Sequence, residues 1–373
     1  MIDPLQSFGE RLGQWIREAI PPATAPDGWP PFPFAERAAE LFQLQFQQVE
    51  VFRRLCERRG VRPSPAVALE EIPAVPVTAF AEFDVTSIAP PERTVVFHSS
   101  GTTGGLRSRH FHQRASLALY ERSVAASFQH CALPDSGFTV QAVFVSLTPP
   151  PHQAPHSSLV HMAATVGRDF SHPVFCGEAG PAGAWELDAE RARIALEGAV
   201  VEGRPVCLFG TAFSFVHLTD RLAQRNRAIP LPAGSRVMET GGYKGRMQEL
   251  PKTELHRRLN DRLGIPGSHL LSEYGMCELS SPAYDGVVGR LAPTGQPRTF
   301  RFPPWARSLV VSPETGRPVS DGETGLLRVV DLANVRSVLA LQTEDLAVRR
   351  GDGFELLGRA PRSEPRGCSL MAG

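Results

Sequence analysis

No apolar run in this chain approaches the roughly 20 residues that a helix needs to cross a bilayer. The start, Met1-Ile2-Asp3-Pro4, has neither the basic residues nor the apolar stretch of a secretory signal, so a cytoplasmic protein is expected. An excess of charge is missing too. Lys and Arg together number 39, as do Asp and Glu, and no net field draws the chain to nucleic acid or to an anionic membrane. The six cysteines (Cys56, Cys131, Cys176, Cys207, Cys277, Cys368) stand far apart with no C-x-x-C pair. That spacing excludes a disulfide scaffold and a cysteine-rich zinc site, and most of these residues are expected as small buried apolar side chains. Familiar catalytic signatures are also lacking: no Walker loop, no G-x-G-x-x-G opening a helix, no G-x-S-x-G elbow and no H-E-x-x-H. His152, His156 and His161 cluster without a matching carboxylate pattern and read as surface or pocket polarity.

What is present describes an ordinary folded protein. Its 373 residues, 42% hydrophobic and 21% charged, are enough for a large core in one domain or two lobes. Residues 5–20 and 36–59 read as helices, the second from Leu41, Leu44, Val49, Phe52 and Leu55 at helical spacing, with Gly60 placed to end it. A proline-rich connector, 21–33, separates them, and 72–77 is extended and irregular because of its prolines. From 94 to about 272 the chain alternates apolar runs (94–97, 138–147, 174–176, 206–209, 235–239, 269–272) with amphipathic stretches (113–129, 186–201, 213–225, 247–263). Strands alternating with helices predict an α/β fold with a largely parallel sheet flanked by helices. After Pro282, short runs broken by Pro-Glu-Thr-Gly and Asp-Gly-Glu-Thr-Gly turns predict a smaller β-rich C-terminal lobe. The expected organisation is a helical N-terminal region packed on the core (1–92), an α/β core (93–282), a β-rich subdomain (283–360) and a C-terminal tail (361–373).

Ligands of parallel sheets bind beyond the carboxyl ends of the strands. The polar clusters at 99–105, 210–211, 240–242 and 273–278 all fall at such ends, which predicts one shared site. The first, Ser99-Ser100-Gly101-Thr102-Thr103-Gly104-Gly105, follows an apolar run and joins backbone freedom to four hydroxyls. That combination suits phosphate oxygens, and Arg107, Arg109 and His110 follow with positive charge. Taken alone, each residue also has a plainer reading: Tyr274 as a half-buried core aromatic, Glu278 as a capping acid, Asp345 as a structural partner of Arg359, and Gly241-Gly242 as a turn.

In order, the chain carries Ser-Ser-Gly-Thr-Thr-Gly with Ser108-Arg109-His110, then Gly241-Gly242-Tyr243-Lys244-Gly245-Arg246. Tyr274-Gly275-Met276-Cys277-Glu278-Leu279-Ser280-Ser281, Thr343-Glu344-Asp345, Leu357-Gly358-Arg359-Ala360 and Arg366-Gly367-Cys368-Ser369-Leu370 follow. This series resembles the core motifs of adenylate-forming enzymes, the acyl-CoA synthetases and their relatives. More closely, it resembles the acyl-protein synthetase family, the fatty-acid-activating component of the bacterial luminescence fatty acid reductase complex. The resemblance spans residues 95 to 370.

The resemblance implies a fold similar to the large N-terminal domain of adenylate-forming enzymes. A full C-terminal lid domain is not expected, because the chain ends at Gly373 soon after Arg359. It implies ATP and Mg²⁺ as cofactors and a carboxylic acid, a fatty acid in this family, as substrate. Ser99, Ser100, Gly101, Thr102, Thr103, Gly104 and Arg109 would hold the phosphates. Gly241 and Gly242 would bring backbone close to the adenine, with Tyr274 stacked on it, and Tyr243, Gly275 and Met276 would also bind the nucleotide. Asp345 would bind the ribose hydroxyls beside Arg359, and Glu278 would hold Mg²⁺. Lys244 or Arg246 would offset developing phosphate charge, His110 stands with the catalytic residues, and Cys368, near Arg362 and Arg366, would accept the acyl group as a thioester. Delivery to an acyl-CoA-reductase-like or carrier partner would follow. This sequence departs from the common pattern where Cys277 and Glu344 replace a threonine and a glycine, and where Arg107, Arg109 and His110 replace a lysine. An acid–CoA ligase with Cys368 incidental, and a catalytically silent nucleotide-binding subunit of a reductase, are the alternative readings. For the acid, Phe213, Phe215, His217, Ser157, Ser158 and Met162 are the candidate contacts.

Overall fold

The computed structural model describes residues 3–19, 29–99, 106–135, 137–180, 185–241, 250–290 and 297–360. The apolar runs Val143–Ser146, Val206–Thr211, Arg236–Thr240 and Leu270–Tyr274 stand side by side in parallel. Val174–Phe175 extends one edge in parallel and Ala283–Tyr284 the other in antiparallel, which makes a sheet of six strands among the described residues. Alternation along the strands divides their side chains between two cores. Val145, Leu208, Val237 and Leu270 pack against Leu196, Phe215 and Leu259 of the helices Ala189–Val201, Ala212–Gln224 and Lys252–Leu263. Phe144, Phe209, Met238 and Leu271 face the opposite way, onto Val124, Phe128 and Val166 of Arg114–Ala132 and Ser158–Gly167. Burial on both faces is why these strands read as continuous apolar runs.

Two runs behave differently from expectation. Residues 138–147 divide into a single helical turn, Phe138–Gln141, and the strand Val143–Ser146. Val95–His98 does not enter the parallel sheet. It returns through the glycine-rich loop as an antiparallel hairpin with Arg109–His112, since adjacent strands joined by a short loop pair antiparallel. The helix expected over 36–59 is broken at Val49, whose extended backbone (φ −103°, ψ 98°) separates Phe34–Gln48 from Glu50–Arg58. The break turns Phe42 and Phe52 into the same core, with ring centroids 5.6 Å apart.

The β-rich lobe is built on the long strand Ala340–Arg350. Antiparallel to it run Thr324–Asp331 and then Ala306–Val311, and Gly353–Arg359 folds back on its second half. Val75–Pro76, from the N-terminal region, joins its first half in parallel, so this sheet is completed from outside 283–360. Pro76 is tolerated there because the strand is an edge. The N-terminal helices pack on this lobe through Leu5, Phe8, Leu12, Leu41 and Phe52, against Trp305, Val329 and Leu341. Among the described residues no helix is long and apolar enough to cross a membrane.

One buried amide joins the N-terminal helices to the lobe. Gln45 Nε2 donates to the carbonyls of Asn334 (2.7 Å) and Val335 (3.2 Å), and its Oε1 accepts from the Leu339 amide (2.8 Å). Gln45 is fully buried, so nothing else is at hand to satisfy that turn. Gln45→Leu is expected to cost about 3 kcal/mol of stability through unpaired buried backbone groups, read as a lower midpoint in chemical denaturation.

Candidate active site

A cleft of about 490 Å³ opens where the carboxyl ends of the parallel strands meet the β-rich sheet. Thr211, Thr240, Gly241 and Glu273 reach it from the strand ends, and Gly275 to Pro282 from the segment that follows. Thr343, Glu344, Asp345 and Arg359 come from the second sheet, and His98, Ser99 and Arg107 from the hairpin. Convergence at strand ends is where an open α/β sheet leaves room for a ligand.

Of the residues singled out from the sequence, Ser99, Gly241, Gly275, Met276, Glu278, Asp345 and Arg359 line this one cleft. Ser99 closes the stem of the glycine-rich loop: its hydroxyl accepts from the Ser108 amide at 3.0 Å, and its own amide donates to the Ser108 carbonyl at 3.3 Å. Gly241 has φ +72°, a left-handed conformation that lets the chain turn sharply at the end of its strand. Ser100, Gly101, Thr102, Thr103, Gly104, Gly242, Tyr243, Lys244 and Cys368 lie outside the described residues.

Three expectations are corrected. Tyr274 does not line the cleft; its ring is enclosed by Phe300, Phe302 and Phe354, edge-on to each, and its hydroxyl donates to Asp345 Oδ2 at 2.7 Å. It orients the acid rather than offering a face to a base. Arg109 does not line the cleft; its guanidinium is 3.1 Å from Asp84, outside the hairpin. Arg107, before the strand begins, is the arginine that reaches the cleft. His110 lies behind the wall, fully buried, with Nδ1 donating to the Cys277 carbonyl at 2.8 Å. Burial holds it neutral, with a pKa down to about 4, and it supports the wall without touching what binds there. Among the acid-pocket candidates, Ser157, Ser158, Met162 and Phe213 line the cleft, whereas Phe215 is core and His217 stacks behind Phe213 at 4.3 Å.

Asp345 and Arg359 meet because of a bulge. Pairing between Ala340–Arg350 and Gly353–Arg359 slips by one residue at Leu357, so that Asp345 faces Arg359. Gly358, at φ +118°, makes the slip affordable. The Asp345 carboxylate lies 4.0 Å from the arginine; burial raises its pKa, and the Tyr274 hydroxyl and Arg359 act against that rise. Glu278 accepts from the Cys277 thiol at 3.1 Å on its Oε2, and the residue lines the cleft. Among the described residues no group of three or more His, Cys, Asp or Glu is arranged to hold a metal by itself.

Glu273 opens the 273–278 cluster read from the sequence, but no role is assigned to it there. It is buried at the cleft floor and accepts from the Thr240 hydroxyl. Burial pushes its pKa up to about 7; the Thr240 bond opposes the rise and nearby Glu239 adds to it. The folded state therefore keeps a proton that the unfolded chain releases near 4.5. The stabilisation tied to that proton is complete below about pH 4.5 and is lost as pH rises through 7. Glu273→Gln, which is neutral throughout, is expected to gain on the natural protein by on the order of 2 kcal/mol between pH 5 and pH 8. Denaturation midpoints across that range check it.

Comparison with known proteins agrees with this architecture. The family model described as Acyl-protein synthetase, LuxE matches residues 34–372. The long-chain-fatty-acid–luciferin-component ligase of Aliivibrio fischeri is 22% identical over 351 residues, covering 89% of this chain and 85% of the relative. Its counterpart in Vibrio harveyi is 21% identical over 338 residues, covering 88% and 84%. Among solved structures, an open conformation of 2-hydroxyisobutyryl-CoA ligase in complex with 2-HIB-AMP and CoA matches with a TM-score of 0.64 at 16% identity, over 91% of this chain and 79% of that one. The thioesterification state of the same ligase gives 0.66 at 17%, over 91% and 72%. The fold is thus that of the adenylate-forming ligases. With a family match running from the second helix through the cleft segments and into the tail, the chain belongs to the acyl-protein synthetase (LuxE) family and is a ligase.

Proposed function

We propose that the chain uses ATP to activate a carboxylic acid, a fatty acid in keeping with the names of its curated relatives, as an acyl-adenylate. It then moves the acyl group to its own Cys368 and delivers it to a reductase or carrier partner. The observation that carries this reading is that Ser99, Gly241, Glu278, Asp345 and Arg359, distant in sequence, line a single cleft at the strand ends.

In the first step a carboxylate oxygen of the acid bonds to the α-phosphorus, and the bond to the pyrophosphate leaving group breaks. The protein's part in such chemistry is positioning and charge neutralisation. Asp345, steadied by Tyr274, accepts from ribose hydroxyls, and Arg359 beside it faces the same ligand. The glycine-rich loop, with Ser99 at its stem and Arg107 just beyond, receives the β- and γ-phosphates. Glu278 supplies an oxygen donor for Mg²⁺, which when bound neutralises phosphate charge. Apolar Met162 and Phe213 with Ser157 and Ser158 line the part of the cleft left for the acid. In the second step the Cys368 thiolate attacks the acyl carbonyl and AMP leaves, the thiol proton passing to solvent; Arg362 and Arg366 favour the thiolate.

Acid-dependent pyrophosphate release with a panel of acids tests the first step. Activity with at least one acid is expected, with Glu278→Gln and Asp345→Ala each reducing it about 100-fold; release with no acid on the panel would overturn the reading. Cys368→Ser is expected to keep pyrophosphate release and to abolish the acylated protein seen by mass spectrometry. A wild-type protein that never carries the acyl group and instead releases acyl-CoA would transfer the second step to coenzyme A.

A further inference from the structure

Residues 275–282 form an irregular stretch, mostly buried, between the strands Leu270–Tyr274 and Ala283–Tyr284. A buried stretch outside a helix or sheet ladder leaves backbone groups that something else must pair. Here side chains from the β-rich lobe do so. Asn334 Nδ2 donates to the Glu278 carbonyl at 2.9 Å. Asp331 Oδ2 accepts from the Ser280 amide at 2.9 Å, and its Oδ1 accepts from the Ser281 hydroxyl at 2.7 Å.

We propose that Asp331, together with Asn334, is a positioning residue for metal–nucleotide binding. The pair holds Glu278 at the cleft through its own carbonyl and the residues just after it, without meeting the ligand. The inference rests on the reading above that Glu278 faces Mg²⁺·ATP.

The hydrogen bonds run in one direction. An indole N–H only donates, so Trp305 Nε1 gives its proton to Ser123 Oγ at 2.8 Å. Ser123 then gives its own proton to Ser281 Oγ at 3.0 Å, and Ser281 gives its proton to Asp331. Asp331 Oδ1 also accepts from the Ala333 amide at 3.0 Å. The Ser280 amide, the Ser281 hydroxyl and the Ala333 amide all donate to the carboxylate, and the acid is fully buried, so an acceptor-only side chain suits this position. Core packing alone would be served by an apolar residue here, at less desolvation cost. An acid at such a place is explained by the segment it fixes, because groups just behind a ligand oxygen tune affinity for the metal.

The experiment is ATP binding by titration calorimetry, once with Mg²⁺ and once with EDTA, on the full chain. Asp331→Asn turns an N–H toward donors and is expected to weaken Mg²⁺·ATP binding about tenfold or more, with metal-free ATP binding unchanged within about twofold. Ser281→Ala removes one donor, is milder toward folding, and is expected to shift binding in the same metal-dependent way. Leu327→Ala, a fully buried core residue of the same strand, serves as the stability control and should lower the denaturation midpoint without touching Mg²⁺·ATP affinity. Metal-dependent affinity at the natural level in both Asp331→Asn and Ser281→Ala, or an equal loss with EDTA, would overturn the proposal. If Asp331→Asn does not fold, Ser281→Ala decides. A wild-type protein that binds ATP without any Mg²⁺ dependence would overturn the Glu278 reading and this inference together, whereas normal wild-type behaviour with unaffected variants overturns this inference alone.

Discussion

The need to pair every buried backbone group governs this molecule where regular structure stops. The parallel sheet and its helices satisfy themselves. The stretches that shape the site do not, and each is met by a buried polar side chain from a distant part of the chain. Two amides act in series: Gln45 pairs the turn that contains Asn334, and Asn334 pairs the carbonyl of Glu278. His110 does the same for the neighbouring Cys277 carbonyl from the hairpin side. The wall of the cleft is therefore stiff although it carries no ladder, because a polar group released in such a place has no water to turn to.

Function lies where two differently built layers meet. The parallel sheet ends at Thr211, Thr240 and Glu273, and the β-rich sheet brings Thr343, Asp345 and Arg359 across from them. Neither layer holds a complete site. Asp345 depends on Tyr274 of the first layer for its orientation, while the hydrogen bonds of 275–282 come partly from the second. Side chains to which the resemblance gave a part at the ligand, such as Tyr274 and His110, hydrogen-bond to Asp345 and to the Cys277 carbonyl. In a preorganised site that is where much of the chain's effort goes.

Much of this was legible in the sequence, for identifiable reasons. Burial on both faces wrote the parallel strands as unbroken apolar runs, and polar clusters at their ends announced the cleft. The direction in which a side chain points was harder to read. Arg107 and Arg109 look equivalent on paper, yet Arg107, before the strand begins, lines the cleft, while Arg109, inside it, pairs with Asp84. Tyr274 sits in the expected motif, but its ring is taken by Phe300, Phe302 and Phe354, far along the chain. The strand Val75–Pro76 was hidden because its partner lies in the other half of the molecule and its prolines argued for irregularity. Asp331 and Asn334 carried no local signal, since what they serve is nearby in space and remote in sequence. Glu273 was missed for a similar reason: its shifted acidity comes from the depth at which the strand end lies.

The link between Gln45 and Asn334 spans 289 positions. During synthesis, a ribosome must deliver the second helix, the parallel sheet and then the strands Ala306–Val311 and Thr324–Asp331 of the β-rich lobe before that bond closes. Until it does, the loop carrying Glu278 lacks its clamp, and the emerging polypeptide holds a sheet without a working pocket. Contacts of such long range form late and slowly. Chains interrupted before Thr324 would lack both the Asp345 corner and the restraint on Glu278, so premature release yields fragments in which the cleft is never assembled.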